Sequence, residues 1–312
     1  MAAVLDSPLS PKQQYFPEVI AGMNFNALAY EFYFAAKKFG VAEVLRRAPR
    51  LGGNIKRIVH SVLPQNPWVQ VQSGLSQGMW MALSLPDEVR LWRGEHELVV
   101  QRAILAAVHA GHVFYDIGAH IGSIALGAAK LVRPSGLVVA FEADPENVAI
   151  LRKNAARNDL VASLQIVHAA VWSSSSITIP FRRSGARRSH GGVETARQRP
   201  VLGSGGLVNV PAVTLDDFIA NGGAAPQFIK VDVEGGEYEV LRGGTRLFEK
   251  HRPVLLAEVH HRQAAQRIGA WLREREYDSR WITPPEQFPC RLFAWPDGFD
   301  GADWMSRSAI KT

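Results

Sequence analysis

A cluster of three carboxylates follows a short apolar run in the last third of the chain. The run Phe228–Val231 is followed by Asp232, Glu234 and Glu237 within six residues. Such a run predicts a buried strand, and open α/β sheets bind ligands at the carboxyl ends of their strands. Crowded carboxylates can raise the pKa of one member, which then serves as a general base, or together hold a divalent cation. Glu237 also has a simpler explanation, since an acid in the first turn of a helix complements the helix dipole.

A second motif, EVHH at residues 258–261, ends the next predicted strand. The carboxyl ends of parallel strands meet at one edge of a sheet, so His260 is expected on the same rim as Asp232. An imidazole titrates near neutral pH. We therefore predict Asp232 or His260 as the base, with Glu234 and Glu258 shaping the site. A divalent metal held by Asp232 and Glu258 is the rival explanation, and we predict no metal.

A third motif, DIGAHIG at residues 116–122, directly follows an apolar run and opens a helical pattern. Glycines there let the backbone approach a ligand, and a helix N-terminus offers free amides. The spacing is not the dinucleotide fingerprint, because G-x-G-x-x-G is absent and Asp116 precedes the first glycine. The motif suits a nucleoside cofactor without a pyrophosphate, whose amino group the acid can hold.

Glu142 ends the strand predicted after the glycine loop. An acid at this place can accept hydrogen bonds from the two ribose hydroxyls, as it does in dinucleotide-binding folds. Alone this signal is weak, because acids at strand ends are often merely solvated. Together with the glycine loop it supports a nucleoside site.

These motifs need an alternating series of elements to bring them together. Apolar runs predict strands at 113–116, 137–142, 164–168, 228–231 and 254–259, and helical periodicity predicts helices at 97–110, 118–131, 145–158, 237–248 and 262–275. Paired strands at 177–181 and 208–213 are predicted to flank an arginine-rich loop, and two further strands end the chain. Strands alternating with helices predict a parallel, doubly wound α/β sheet.

Composition and charge exclude several classes of protein. The 312 residues are 47% hydrophobic and 21% charged, which is ordinary for a globular protein. One cysteine excludes an intramolecular disulfide framework and a multi-cysteine zinc site, and it fits a reducing, cytoplasmic setting. The net charge of +6 is concentrated in residues 37–57 and 181–200. No secretory signal or membrane span is expected.

The first 66 residues form a separate region in our interpretation. Asn26–Phe39 is aromatic and apolar at helical spacing, and a basic stretch begins at Lys37. We predict a helical extension that serves as a lid, a dimer contact or a docking segment. A basic amphipathic helix can also lie on an anionic membrane surface, so peripheral membrane contact stays open.

The order and spacing of the motifs resemble the FkbM family of S-adenosylmethionine-dependent methyltransferases. The resemblance covers about residues 92–296 and rests on VFYDIGAHIGSIALGAAKLV, GLVVAFEADPENVAILRKNAARND, TLDDF, IKVDVEGGEYEVLRGG and PVLLAEVH. It implies a class I methyltransferase (Rossmann-like) fold over residues 67–312 that methylates a hydroxyl of a sugar, polyketide or related metabolite. It also implies S-adenosylmethionine as the cofactor.

Residue by residue, the resemblance implies a cofactor site and one departure from the family pattern. The motif GEHE at 94–97 resembles the family's G-x-Y-E entry, and the family commonly has Asn where this chain has His120. We expect binding to survive this change, because the loop acts largely through its backbone. The implied cofactor-binding residues are Glu97, Asp116, Gly118, Ala119, His120, Gly122, Glu142, Ala169 and Ala170.

Two other classes of function were weighed against methyl transfer. An RNA-binding or RNA-modifying protein would use the arginine-rich loop 182–199, but that loop has no aromatic residue for base stacking. A dehydrogenase would need the dinucleotide fingerprint. We therefore expect a small-molecule, glycan or lipid-linked hydroxyl acceptor rather than nucleic acid, and leave a homo-oligomer open.

Overall fold

The computed structural model describes residues 66–85, 87–183, 206–284, 287–301 and 303–304, and the backbone of residues 192–193. The predicted helix at 26–39, the basic stretch at 37–57 and most of the arginine-rich loop lie outside these residues. The chain divides into two compact units, one of residues 1–69 and 82–89 and the other of residues 70–81 and 90–312. All of the elements discussed below in connection with the site belong to the second unit.

The described residues contain short strands and helices in alternation. The strands are β1 (Trp68–Gln70), β2 (Trp80–Ala82), β3 (Val113–Ile117), β4 (Leu137–Glu142), β5 (Leu164–His168), β6 (Ala170–Val171), β7 (Thr178–Arg182), β8 (Gly192–Val193), β9 (Leu207–Val213), β10 (Phe228–Val231), β11 (Val254–Val259), β12 (Tyr277–Trp281) and β13 (Cys290–Pro296). The helices are α1 (Val89–Arg93), α2 (Leu98–Ala107), α3 (Ser123–Val132), α4 (Pro145–Arg157), α5 (Leu215–Ala220), α6 (Glu237–Arg242), α7 (Thr245–His251) and α8 (Arg262–Arg273).

Seven strands form the main sheet in the order β12-β13-β11-β10-β3-β4-β5. The five strands from β11 to β5 are parallel, and β13 runs antiparallel to both β11 and β12. This arrangement confirms the doubly wound α/β sheet of class I methyltransferase type that the sequence predicted. The strand order reverses between β3 and β10, and ligands of such sheets bind at that point.

The central strands are buried on both faces, which explains why they read as nearly continuous apolar runs. Phe114, Tyr115, Phe141 and Phe228 are at most 1% exposed. Burying a large apolar side chain of this kind contributes about 1.5–3 kcal/mol relative to exposure. The strands therefore form a rigid frame whose carboxyl ends carry Asp116, Glu142 and Asp232.

A local cap fixes the start of α4 directly after Glu142. The side chain of Asp144 accepts a hydrogen bond from the backbone N–H of Glu146 at 2.8 Å, and Pro145 occupies the first helical position. Both features are favoured at helix N-termini. The chain therefore leaves β4 along one defined path.

The predicted helix at 237–248 was wrong in one respect, because it is two helices, α6 and α7, separated by Gly243 and Gly244. A Cβ atom at Gly243 would lie 2.0 Å from the carbonyl oxygen of Trp172. This close approach requires glycine, and it interrupts a helical pattern that continues on both sides of the break.

The strands predicted to flank the arginine-rich loop are confirmed. β7 pairs antiparallel with β9 in a second sheet of order β6-β9-β7-β8. Helices long and apolar enough to cross a membrane are absent from the described part of the chain.

Candidate functional site

A cavity of about 370 Å³ opens at the carboxyl ends of β3, β4 and β10. The three motifs of the sequence meet in it, since Asp116, Glu142 and Asp232 all line its wall. Six further residues that the family resemblance implied as cofactor-binding also line the cavity: Glu97, Gly118, Ala119, His120, Ala169 and Ala170. Gly122, the one remaining residue of that set, is not among the lining residues and lies against Leu151 of α4.

Asp116 is a buried acid whose main partner is a buried lysine. Its Oδ1 lies 3.2 Å from Nζ of Lys230, which also donates a hydrogen bond to the carbonyl oxygen of Gly118 at 3.1 Å. Burial raises the pKa of Asp116 to about 6, although Lys230 acts in the opposite direction. Burial alone would lower the pKa of Lys230, but Asp116, Asp232 and Glu97 outweigh it and the net pKa is raised. Neither carboxylate oxygen of Asp116 meets hydrogen-bond geometry with a described residue.

Two glycines allow the loop after β3 to form. Gly118 has φ of 81°, and a Cβ atom there would lie 1.8 Å from the carbonyl oxygen of Asp232. Gly122 has φ of 98°, and a Cβ atom there would lie 2.3 Å from Leu151. Both values fall in the left-handed region, which side chains other than glycine rarely adopt. The loop therefore packs directly on the segment that follows β10.

The departure at His120 has a backbone explanation. His120 has φ of 52°, again in the left-handed region. Asn, Asp and His adopt this region more readily than other residues with a Cβ atom. The backbone N–H of His120 donates a hydrogen bond to Oε2 of Glu142 at 2.7 Å. Histidine thus satisfies the same conformational demand as the asparagine that is common in the family.

Glu142 ties two segments of backbone together. Its Oε2 accepts from the N–H of His120, and its Oε1 accepts from the N–H of Asp144 at 2.8 Å. Burial raises the pKa of Glu142 to about 7, and the two backbone hydrogen bonds limit that rise. The side chain of Asn147 also hydrogen-bonds to this carboxylate. The carboxylate lines the cavity, where a hydroxyl of a bound ligand can reach it.

The segment before α2 brings another acid to the cavity. Glu97 is left-handed with φ of 50° and precedes the first residue of α2. The buried side chain of Gln101 holds this segment, because its Nε2 donates to the carbonyl oxygens of Gly94 and His96. Its Oε1 accepts from the backbone N–H of Leu75 at 2.8 Å. The side-chain amide of Gln101 therefore holds the segment that carries His96 and Glu97 through hydrogen bonds of both its nitrogen and its oxygen.

The second set of predicted residues surrounds His260. Nε2 of His260 lies 3.3 Å from Glu234, 3.9 Å from Asp232 and 3.9 Å from Glu258. Its Nδ1 lies 2.7 Å from Oε1 of Glu237, which also accepts from the N–H of Gly235 at 2.7 Å. The structure thus brings the predicted catalytic residues Asp232, Glu234 and His260 together.

Charge decides what these groups can do. Burial acts to lower the pKa of His260, but the surrounding carboxylates outweigh it and raise the pKa to about 9. Burial also acts to raise the pKa of Asp232, while Lys230 and His260 outweigh it and lower the pKa. His260 is therefore protonated at neutral pH and Asp232 is ionised. Burial and neighbouring acids raise the pKa of Glu234 to about 7, with His260 acting against the rise. Which group is the base stays a prediction.

Two groups of side chains have a geometry that would fit a cation. They are Asp232 with Glu234 and His260, and Glu97 with Asp232 and Glu258. Each already contains or contacts a positive charge. A metal at the first would have to displace the proton of His260. At the second, Asp232 lies 3.8 Å from Nζ of Lys230, and Glu258 pairs with Arg291.

The start of the arginine-rich loop is held at the beginning of α4 by ion pairs. Nε of Arg183 lies 3.2 Å from Oδ2 of Asp144, and its Nη2 pairs with Glu146. These ion pairs raise the pKa of Arg183, and the hydrogen bond that Arg183 donates to Glu146 is the largest cause. The predicted role of the rest of the loop lies outside the described residues.

Sequence reasoning missed Lys230, His96 and Arg291 as residues of the cavity. Lys230 carried a signal, because it is a charged residue inside an apolar strand and stands opposite Asp116 in the register of β10 and β3. Glu237 lies in the first turn of α6, as the helix-dipole explanation requires, and it is also fully buried in contact with His260. The local sequence pattern does not predict the contact between Glu237 and His260, because 23 residues separate them.

Comparison with known proteins relates this chain to a family of methyltransferases. The model of the methyltransferase FkbM domain matches residues 116–279, just over half of the chain. The hexuronic acid methyltransferase AglP of Haloferax volcanii is 25% identical over 219 residues, which are 65% of this chain and 83% of that protein. A methyltransferase FkbM structure from Methylobacillus flagellatus has 20% identity and a TM-score of 0.42, covering 59% of this chain and 44% of that one. A fibrillarin structure from Aeropyrum pernix with bound S-adenosyl-L-methionine has 11% identity and a TM-score of 0.40, covering 63% of this chain and 73% of that one.

Proposed function

This chain belongs to the FkbM family of methyltransferases, and we propose that it transfers the methyl group of S-adenosylmethionine to a hydroxyl of a sugar or related metabolite. One observation carries the proposal. A single cavity joins the buried acids of the glycine loop and β4 to the acidic cluster after β10 and β11. The first pair suits the nucleoside half of the cofactor, and the second lies where an acceptor would meet the methyl group.

The residues present fit this cofactor. The oxygens of Asp116 meet no hydrogen-bond donor of suitable geometry among the described residues, so they can accept from an amino group. The carboxylate of Glu142 lines the cavity, where it can accept hydrogen bonds from the ribose hydroxyls. The cavity lies directly beneath backbone that admits only glycine at position 118. Ala169 and Ala170 are buried, small and placed to border a flat base.

The charge of the cavity favours a cationic ligand. Its wall carries six carboxylates, Glu97, Asp116, Glu142, Asp232, Glu234 and Glu258, against three residues of fixed positive charge, Arg90, Lys230 and Arg291. A sulfonium and an ammonium group would be attracted by this excess of acid, whereas the pyrophosphate of NAD would be repelled. The same charges therefore distinguish methyl transfer from hydride transfer.

When bound, S-adenosylmethionine supplies both the methyl group and its leaving group, so the chain has mainly to orient the acceptor oxygen. Strands β3, β4 and β10 are rigid, and orientation of this kind can lower a barrier by roughly 7–11 kcal/mol. A base that removes the hydroxyl proton adds about 10²–10⁴-fold. A sugar is the favoured acceptor because the Haloferax volcanii relative is named as a hexuronic acid methyltransferase.

Calorimetry against S-adenosylhomocysteine, NAD and single-stranded RNA tests the cofactor. We expect binding of the first alone, and a preference for NAD or RNA would contradict the proposal. The variant Asp116→Asn turns a charge-assisted hydrogen bond into a neutral one, which costs about 1 kcal/mol, so its affinity should fall roughly fivefold. The exposed Asp278→Asn on β12 is the matched control and should bind like the wild type. A screen of sugars with labelled cofactor, read as a mass gain of one CH₂ unit, then tests the acceptor.

A further inference from the structure

We infer that His96 is the general base that accepts the hydroxyl proton of the acceptor. This inference rests on the proposed function and names a residue for its proton transfer. It replaces neither Asp232 nor Glu234 in the site, but it gives them a different role, in which they surround the reacting groups with negative charge.

His96 has the position that a base needs. It lines the cavity together with Glu97 and Asp232. Its Nε2 lies 3.7 Å from Oε2 of Glu97, and its side chain is 41% exposed, so an acceptor can reach the ring. By contrast, His260 is 12% exposed and is not among the described residues that line the cavity. Its two ring nitrogens face carboxylates of the protein.

The backbone of His96 is held in place. Its carbonyl oxygen accepts a hydrogen bond from Nε2 of the buried Gln101, 2.5 Å away. The next residue, Glu97, begins the turn into α2. The ring therefore projects from a fixed point rather than from a free loop, which matters because a base must lie within hydrogen-bond reach of its proton.

The charges around His96 keep it ready to accept a proton. Burial by the cavity wall lowers its pKa, and Lys230 and Arg90 act in the same direction, while Glu97 and Asp232 oppose them. The ring is therefore neutral at pH 7. After proton transfer, the imidazolium would be stabilised by Glu97 and Asp232, and its exposed edge can release the proton to water.

The other candidates are less suited to start the reaction. The pKa of His260, raised to about 9 by the carboxylates against the effect of burial, keeps that ring protonated at pH 7. Glu234 has a pKa that burial raises to about 7, so only about half of it is ionised at pH 7, and it lies 3.3 Å from Nε2 of the protonated His260. Asp232 has a pKa lowered by Lys230 and His260, against the effect of burial, and a weakly basic carboxylate abstracts a hydroxyl proton poorly.

The step balances without another reactant. The acceptor hydroxyl gives its proton to a ring nitrogen of His96, and a lone pair of the hydroxyl oxygen forms the new bond to the methyl carbon. The bond between that carbon and sulfur breaks, and its electron pair stays on sulfur, which becomes neutral. The positive charge that leaves sulfur appears on His96 and then passes to solvent.

The variant His96→Gln tests the inference, with His112→Gln as the matched control. Burial also lowers the pKa of His112, but this residue precedes β3 at the opposite end of the strand from the cavity. With methyl hexosides and methyl hexuronosides as acceptors, we expect kcat of His96→Gln to fall by about 10²-fold or more. Its affinity for S-adenosylhomocysteine should stay within twofold of the wild type. His112→Gln should keep full turnover.

The pH profile gives the decisive comparison. The measurement is made at saturating S-adenosylmethionine, so that the pH dependence of cofactor binding through Glu142 does not enter. In the wild type, kcat/KM for the acceptor should then rise with pH through a pKa below 6.5 and level off, because only the neutral ring accepts a proton. This acid limb should vanish in His96→Gln and persist in Glu234→Gln. An acid limb that is unchanged in His96→Gln would overturn the assignment.

An NMR titration of the histidine ring protons, with S-adenosylhomocysteine bound, reads the same group without turnover. The His96 signal, identified by its absence in His96→Gln, should titrate below 6.5. A value at or above 6.5 would also overturn the assignment. A wild type that binds the cofactor yet methylates no sugar would instead contradict the proposed function, and the titration would still decide whether His96 is neutral at pH 7.

Discussion

Replacing Glu142 by glutamine should weaken cofactor binding and remove most of its pH dependence. The substitution keeps the shape of the side chain but removes its charge. In the wild type, the carboxylate accepts from the backbone N–H groups of His120 and Asp144 and lines the cavity, where ribose hydroxyls can reach it. Its pKa of about 7, raised by burial, means that it is half ionised at neutral pH.

The magnitude follows from these contacts. A hydrogen bond to a charged group contributes about 1.5–3 kcal/mol, and a neutral one about 0.5–1.5 kcal/mol. Two ribose hydrogen bonds that lose their charge therefore cost about 2 kcal/mol, or roughly 30-fold in affinity. A ligand that binds only the ionised form of a group with pKa 7 gains about tenfold in affinity between pH 6 and pH 8. The sign is fixed, because hydroxyl donors favour the ionised form: affinity rises with pH and levels off above 7.

Calorimetry with S-adenosylhomocysteine at pH 6, 7 and 8 measures both effects. We expect a roughly 30-fold loss in Glu142→Gln at pH 8 and a flatter pH dependence than in the wild type. Glu274→Gln, which changes an exposed acid at the end of α8, is the control. One amide N–H of the new glutamine faces a backbone N–H, so urea unfolding must show that the variant is folded. Equal affinity and equal pH dependence in Glu142→Gln and wild type would refute the reasoning.

Two further outcomes are expected. Lys230→Met should lower the free energy of unfolding by about 3–5 kcal/mol, because it leaves Asp116 buried without its cation. Urea denaturation measures this loss, with Lys250→Met at an exposed position as the control. Equal losses in the two variants would contradict the prediction. Methyl transfer should continue in the presence of EDTA, because the carboxylates that could hold a metal are already paired with Lys230, His260 and Arg291. Activity that EDTA abolishes and Mg²⁺ restores would show that a metal is needed.

The sequence allowed the main sheet to be predicted because each of its parallel strands is a short, largely apolar run. β4 and β11 have the predicted bounds, and β3 extends one residue further than expected. Parallel strands at the centre of a sheet are buried on both faces, so their pattern is local and strong. The break between α6 and α7 could not be predicted in this way. It depends on the approach of Gly243 to Trp172, a contact between segments distant in sequence.

For the same reason, the residues that we propose to bind the cofactor follow more directly from the sequence than the partners of His260 do. The neighbouring strands β3 and β4 end at or next to Asp116, Gly118 and Glu142. Once the strands are predicted, the positions of these residues in the fold follow. The partners of His260 do not, because Glu237 reaches it from the start of a helix and Glu234 from a left-handed turn. A cluster of acids in sequence indicated a site, but only the side-chain geometry shows which nitrogen faces which carboxylate.

The buried acids of the cavity connect stability to function. Burial raises the pKa of Asp116 to about 6 and of Glu142 and Glu234 to about 7, so each ionises more easily in the unfolded chain. A raised pKa of an acid in the folded state means that stability falls as pH increases from the unfolded pKa to the folded one. These three side chains therefore oppose folding at neutral pH in the absence of a ligand. A cationic ligand that enters the cavity would favour their ionised forms and so offset this cost.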